Sequence, residues 1–228
     1  LTDLTLKNSA TNAAITLTST VASLNVTLDN VVGTVDLDGA AATTLKTLNL
    51  TTTGEASDIT LGAAAVETLT IAAAADLDIS TGSTLTAVKT VTITGAGDVN
   101  LGDLSASNSA SFATLNASAA KGDITAEITA TNTAVTTGSG NDTITATVAN
   151  ATTAISKAID LGAGDDTLVL FADTTAVPTA DACYVWLPRL GASCRRDMSV
   201  PVESRPVACV GGSVPSSSVM PTCHRLPE

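Results

Sequence analysis

Two glycine- and aspartate-rich turns hold the residues best suited to chemistry: Thr137-Gly-Ser-Gly-Asn-Asp142-Thr-Ile144-Thr and Leu161-Gly-Ala-Gly-Asp-Asp166-Thr-Leu168-Val. Both follow the spacing Gly-x-Gly-x-Asp-x-apolar-x. Glycine lets a backbone take positive φ and turn its carbonyl oxygens toward one point. The Asp adds a hard anionic oxygen, and the apolar residue two places later anchors a following strand. Carbonyl and carboxylate oxygens together suit a hard divalent cation such as calcium. The alternative is an ordinary Gly/Asp turn that binds nothing. A third stretch, Gly95-Ala-Gly97-Asp98-Val99, has Val where the ligand Asp would stand, and is expected to be a structural turn only.

The rest of the composition excludes most other chemistry. From Leu1 to about Ala180 the only basic residues are Lys7, Lys46, Lys89, Lys121 and Lys157, and the whole chain carries a formal net charge of −12. Such a field repels nucleic-acid phosphates and anionic lipid and attracts cations. The same stretch has no His, Cys or Arg, which removes Ser-His-Asp and Cys-His machinery, His-ligated zinc and disulfides. Asp36/Asp38 and Asp76/Asp78 could mimic glycosidase carboxylates, but solvated surface acid is the expected role. The chain is expected not to be an enzyme. No apolar run approaches the ~20 residues of a membrane-spanning helix. Asn-x-Ser/Thr sequons at Asn25, Asn49, Asn116, Asn141 and Asn150 are what a Thr- and Asn-rich composition produces unaided.

The elements that must position the two turns recur along the body. Val21-Ala-Ser-Leu24-Asn-Val26, Leu45-Lys-Thr-Leu48-Asn-Leu50, Val66-Glu-Thr-Leu69-Thr-Ile71, Val88-Lys-Thr-Val91-Thr-Ile93 and Phe112-Ala-Thr-Leu115-Asn-Ala117 start 24, 21, 22 and 24 residues apart. Between them lies a second short element, usually opened by Asp: Thr34 to Leu37, Asp58 to Leu61, Asp76 to Ile79, Asp98 to Leu101, Asp123 to Ala126, Asp142 to Thr145 and Asp166 to Val169. Both alternate with period two and are rich in β-branched residues, which predicts strands. Phe112 and Phe171 are the only aromatics before the tail, so no large globular core is available. A unit this small buries its apolar residues only when copies stack. The predicted fold is all-β, a parallel β-solenoid of roughly 22–24-residue coils with Thr and Asn ladders outside; the alternative is an antiparallel β-sandwich.

The two turns resemble the nonapeptide of RTX (repeats-in-toxin) proteins, and the Thr-rich repeats around them look like RTX-type bacterial S-layer proteins and adhesins. The resemblance implies calcium held between successive turns, with Asp142 and Asp166 as ligand side chains and Gly138, Gly140, Gly162 and Gly164 shaping the loops and offering carbonyls. Asn141 and Asp165 complete the candidate set. It also implies an extracellular, cell-surface structural protein that associates with neighbouring copies or with surface glycan; an adhesin, the repeat region of a larger type I-secreted protein and, least favoured, a carbohydrate-active solenoid enzyme are the alternatives. The sequence departs from the nonapeptide at its first glycine, which is Thr137 in one copy and Leu161 in the other.

The body, 1–180 with its turns at 137–145 and 161–169, gives way to a tail at 181–228. There lysine vanishes, and every Arg, Cys, Met, Trp and His appears. This switch is expected from out-of-frame translation, a fusion scar or disorder; a disulfide-stapled cap or a zinc site at Cys223 and His224 is the alternative. A start at Leu1 without Met suggests a piece of a longer protein.

Overall fold

The computed structural model describes residues 1–9, 13–14, 21–37, 44–105, 108–148, 155, 157–172, 193–196 and 207–210. Its strands in chain order are β1 (Asp3–Ser9), β2 (Ala13–Ala14), β3 (Ser23–Asp36), β4 (Thr47–Thr52), β5 (Ser57–Gly62), β6 (Thr68–Ala73), β7 (Leu77–Asp78), β8 (Thr90–Gly95), β9 (Val99–Asp103), β10 (Thr114–Ala120), β11 (Ile124–Thr129), β12 (Ala134–Thr136), β13 (Thr143–Val148), β14 (Ile159–Asp160), β15 (Thr167–Ala172), β16 (Ser193–Arg196) and β17 (Val207–Val210).

From β1 to β15 the strands pair in parallel from coil to coil, which makes this body a parallel β-solenoid, as the repeat predicts. One face, sheet A, stacks β1, the first half of β3, β4, β6, β8, β10, β12 and β14. The other, sheet B, stacks β2, the second half of β3, β5, β7, β9, β11, β13 and β15. The sandwich alternative is thereby excluded for the body, since hairpins would pair antiparallel. In sheet A, Leu24, Leu48, Leu69, Val91 and Leu115 fall in one register row, the alignment read from the sequence. A second row, Val26, Leu50, Ile71 and Ile93, runs beside it. All nine side chains are buried, and strict alternation sends Thr and Asn outward between them.

Where the inward column is polar, the hydroxyls are used between coils. Thr52 Oγ1 donates to the carbonyl of Ala75 and accepts its N–H, Ser109 Oγ donates to the carbonyl of Val88, and Thr133 Oγ1 donates to that of Phe112. The corner between the sheets is turned by left-handed residues. In the first coils these are Asn8 and Asn30, with φ of 51° and 55°, and the Asn30 Nδ2 donates to Asn8 Oδ1 at 3.0 Å. In later coils glycine takes over, at Gly54, Gly95 and Gly162. Outward Asn residues form the expected ladder: Asn49 donates to Asn25, and Asn25 to Asp3.

Beyond β15, β17 pairs antiparallel to it and to β16, with Cys194 opposite Cys209 in the register. The other tail residues on which expectations rest, Cys183, Cys223 and His224, lie outside the described residues, as does Asp38. No helix among the described residues is long and apolar enough to cross a membrane.

Candidate metal centre

The two turns sit where β12 leads into β13 and where β14 leads into β15, stacked one on the other. The register of sheet B decides what their acids do. Thr125 pairs with Thr143, and Thr143 with Thr167. Asp142 therefore stands in the row of Ile124, and Asn141 in the row of Asp123. Alignment of the sequence on its Asp residues places Asp142 beside Asp123, one residue away from the register of the sheet. A slip of one residue in a strand exchanges inside for outside. Asp142 and Asp166 thus continue the inward column of Leu77, Val99 and Ile124, and both are buried, 0% and 2% exposed.

Their partners follow from that position. In the preceding coils the N–H of each column residue donates to a backbone carbonyl of the next coil: Ser57 to Asp76, Leu77 to Asp98, Val99 to Asp123. At the last coils a side chain replaces the carbonyl. Ile124 N–H donates to Asp142 Oδ1 at 2.8 Å, and Asp142 N–H donates to Asp166 Oδ1 at 2.9 Å. At the other end of the same column Ser57 Oγ accepts the N–H of Val31 at 3.1 Å. An uncharged oxygen therefore suffices for the backbone's need. Each aspartate brings a second oxygen, Oδ2, that is buried with no hydrogen-bond partner. Burial pushes the Asp142 carboxyl up to about 6, against the lowering influence of the neighbouring Thr137 hydroxyl and of Ile124 N–H and with the charges of Asp166 and Asp123 adding to the rise; burial also raises Asp166, against the N–H of Asp142.

Asn141 and Asp165 face outward, away from the buried pair, on an axial ladder with Asp76, Asp98 and Asp123. Asp98 N–H donates to Asp76 Oδ1, Asp123 N–H to Asp98 Oδ1, Asn141 N–H to Asp123 Oδ1, and Asp165 N–H to Asn141 Oδ1, at 2.6 to 2.9 Å. The Gly95-Ala-Gly97-Asp98 turn belongs to this ladder. Sequence reading missed Ser57 as a column member and the acceptor role of Asp76, Asp98 and Asp123, which it took only as openers of the second element. The recurring Asp-apolar-polar-apolar pattern of Asp76, Asp98 and Asp123 carried the signal for the ladder, and the Asp-x-apolar spacing of Asp142 and Asp166 marks the change of phase.

The glycines are explained by coil stacking. A Cβ on Gly138 would lie 2.0 Å from the carbonyl oxygen of Ala120, and one on Gly140 2.3 Å from that of Gly122. Gly162 and Gly164 stand in the same relation to the carbonyls of Gly138 and Gly140, at 2.1 and 2.0 Å. Positive φ occurs at Gly162 and Gly164, 75° and 138°, whereas Gly138 and Gly140 need only the close approach. Among the described residues no three His, Cys, Asp or Glu side chains gather as a ready metal site. The two buried carboxylate oxygens without hydrogen-bond partners, Oδ2 of Asp142 and Oδ2 of Asp166, are the groups of this region whose chemistry suits a hard cation. Asp142 and Asp166 would hold it, and the remaining oxygens would come from turn carbonyls and water.

A cavity of about 280 Å³ lies elsewhere, against Ile79, Ser80, Leu85, Leu101, Asp103 and Asn108, and touches neither buried acid. A scan of protein-family models, a search of curated proteins and a search of solved structures each found no match to the chain.

Proposed function

We propose that the chain is a calcium-stapled structural rod, a repeat region of an extracellular surface protein of the RTX or S-layer kind, with no catalytic role. One observation supports this most directly: Asp142 and Asp166 each keep a partnerless buried oxygen in a column where Ser57 meets the backbone's requirement without charge. A buried carboxylate with nothing opposite it is costly, and a cation removes the cost. Binding energy then becomes folding energy for the coils around β12 to β15. A chain of this kind is loose where calcium is scarce and sets where it is abundant, which suits export followed by folding outside the cell.

Calcium titration of the full chain, followed by circular dichroism and calorimetry, tests the proposal. Calcium is expected to raise the Tm and β content of the parent, magnesium to do so less, and the Asp142→Asn, Asp166→Asn double variant to respond to neither. A parent indifferent to millimolar calcium would leave the two turns as plain turns and remove the cation from the function.

A further inference from the structure

The acidity of this chain is unevenly spread. On β4, β6, β8 and β10 the outward positions of sheet A carry Thr, Asn, Ser and Ala and no charged residue, with Thr70 and Thr92 at the centre. One border of this face, where the chain enters the sheet, holds Lys46, Glu67, Lys89 and Lys157. Glu67 bonds both Lys46 and Lys89, leaving the row net positive. The opposite border, where the chain leaves the sheet, holds the ladder acids Asp76, Asp98, Asp123 and Asp165, with Lys121 the lone base among them. A neutral field on β4 to β10 thus lies between a border that is net basic at Lys46, Glu67 and Lys89 and one that carries Asp76, Asp98 and Asp123.

We propose that two copies of the chain dock face to face through sheet A, about a two-fold axis parallel to the solenoid. Such an axis keeps each coil level with the same coil of the partner and reverses the strand direction. It sets the lysine border of each copy over the aspartate border of the other. A two-fold axis along the strands would bring lysine border onto lysine border. Two chains of net charge −12 repel almost everywhere else, so the neutral face is where close approach costs least. Six-residue strands spaced at ~4.8 Å over the four uncharged coils give a face of roughly 400 Å² per copy, so ~800 Å² in total, the size of a weak, concentration-dependent contact. Ranks of β-branched Thr give both sides a rigid, regular relief. This docking needs no cation and stands or falls apart from the calcium proposal.

The test is sedimentation of the full chain with chelator and a thiol reductant present, over micromolar to sub-millimolar concentration. A monomer–dimer equilibrium is expected. Thr92→Arg, in the middle of the face, is expected to weaken it at least about tenfold with the melting curve unchanged; Thr68→Arg, at an exposed position of the same face, serves if Thr92→Arg disturbs folding. Lys89→Glu is expected to weaken it several-fold in low salt, with the difference fading as salt screens the borders. A chain monomeric throughout, or a dimer indifferent to both arginine variants, overturns the proposal. A dimer broken by arginine but indifferent to Lys89→Glu overturns the axis-parallel arrangement.

Discussion

The backbone N–H of Asp142 donates to Oδ1 of Asp166, 2.9 Å away in the next coil, so the two buried acids are linked in series along the solenoid axis. Each acid spends one oxygen on the chain and keeps one in reserve. The consequences of that division can be measured.

Replacing the charge and replacing the acceptor should have opposite effects. Asp142→Asn keeps an oxygen for Ile124 N–H and removes the buried charge, so in chelator it should be at least as stable as the parent. Asp142→Ala leaves Ile124 N–H unpaired and should lose about 1–3 kcal/mol. Urea denaturation with and without calcium separates the two, and both variants should lose the calcium response. An Asn variant as damaged as the Ala variant would show that charge is needed even without metal.

The metal-free chain should grow more stable on mild acidification. The folded Asp142 carboxyl lies at about 6, above the ordinary range, with burial as the main cause. A group raised in this way contributes most below its unfolded value of ~3.9, and the contribution falls away as pH rises through about 6. Hydrogen bonds from Asn25, Lys7 and Lys89 lower Asp3, Asp29 and Glu67, whose contributions disappear at lower pH. The Tm in chelator should therefore peak near pH ~5, and the rise between neutrality and that peak should shrink in Asp142→Asn. A parent Tm that is flat from pH 7 to 5 would contradict this account of the buried acid.

Two turn glycines should differ sharply. Gly140→Ala places a Cβ 2.3 Å from the Gly122 carbonyl, where backbone meets backbone, and should cost more than ~2 kcal/mol. Gly82 has φ of 65° but no atom nearer to a built Cβ than Thr60 Cγ2 at 3.6 Å, so Gly82→Ala should cost only the left-handed backbone penalty of about 1 kcal/mol. Equal losses in thermal melts would mean that φ, and not stacking, governs the turns.

The column of aliphatic residues should behave as one core. Leu69→Ala, at a fully buried position between Leu48 and Val91, should lose about 3–5 kcal/mol. Hydrogen exchange should show the loss spreading from β6 to β4 and β8, because each coil is supported only by its neighbours. Loss of protection confined to β6 would argue that the coils are independent.

The sheet A repeat was legible because its period survives in the sequence: Leu24, Leu48, Leu69, Val91 and Leu115 align by residue type and pair by register. Sheet B was harder, because its coil steps vary. Val35 pairs with Leu61 where residue type alone suggested Ile59, a two-residue shift that preserves the face. At β13 the shift is one residue, and Asp142 turns inward.

The sequence by itself determined the class of fold, the approximate period and the short list of acids. Period-two alternation and small side chains leave few other ways to bury apolar surface. Only the tertiary structure decided which acids are buried and which line the outer ladder, since Asn141 and Asp142 are adjacent in the chain and opposite in a strand. The phase of that alternation is set by backbone hydrogen bonds to neighbouring coils.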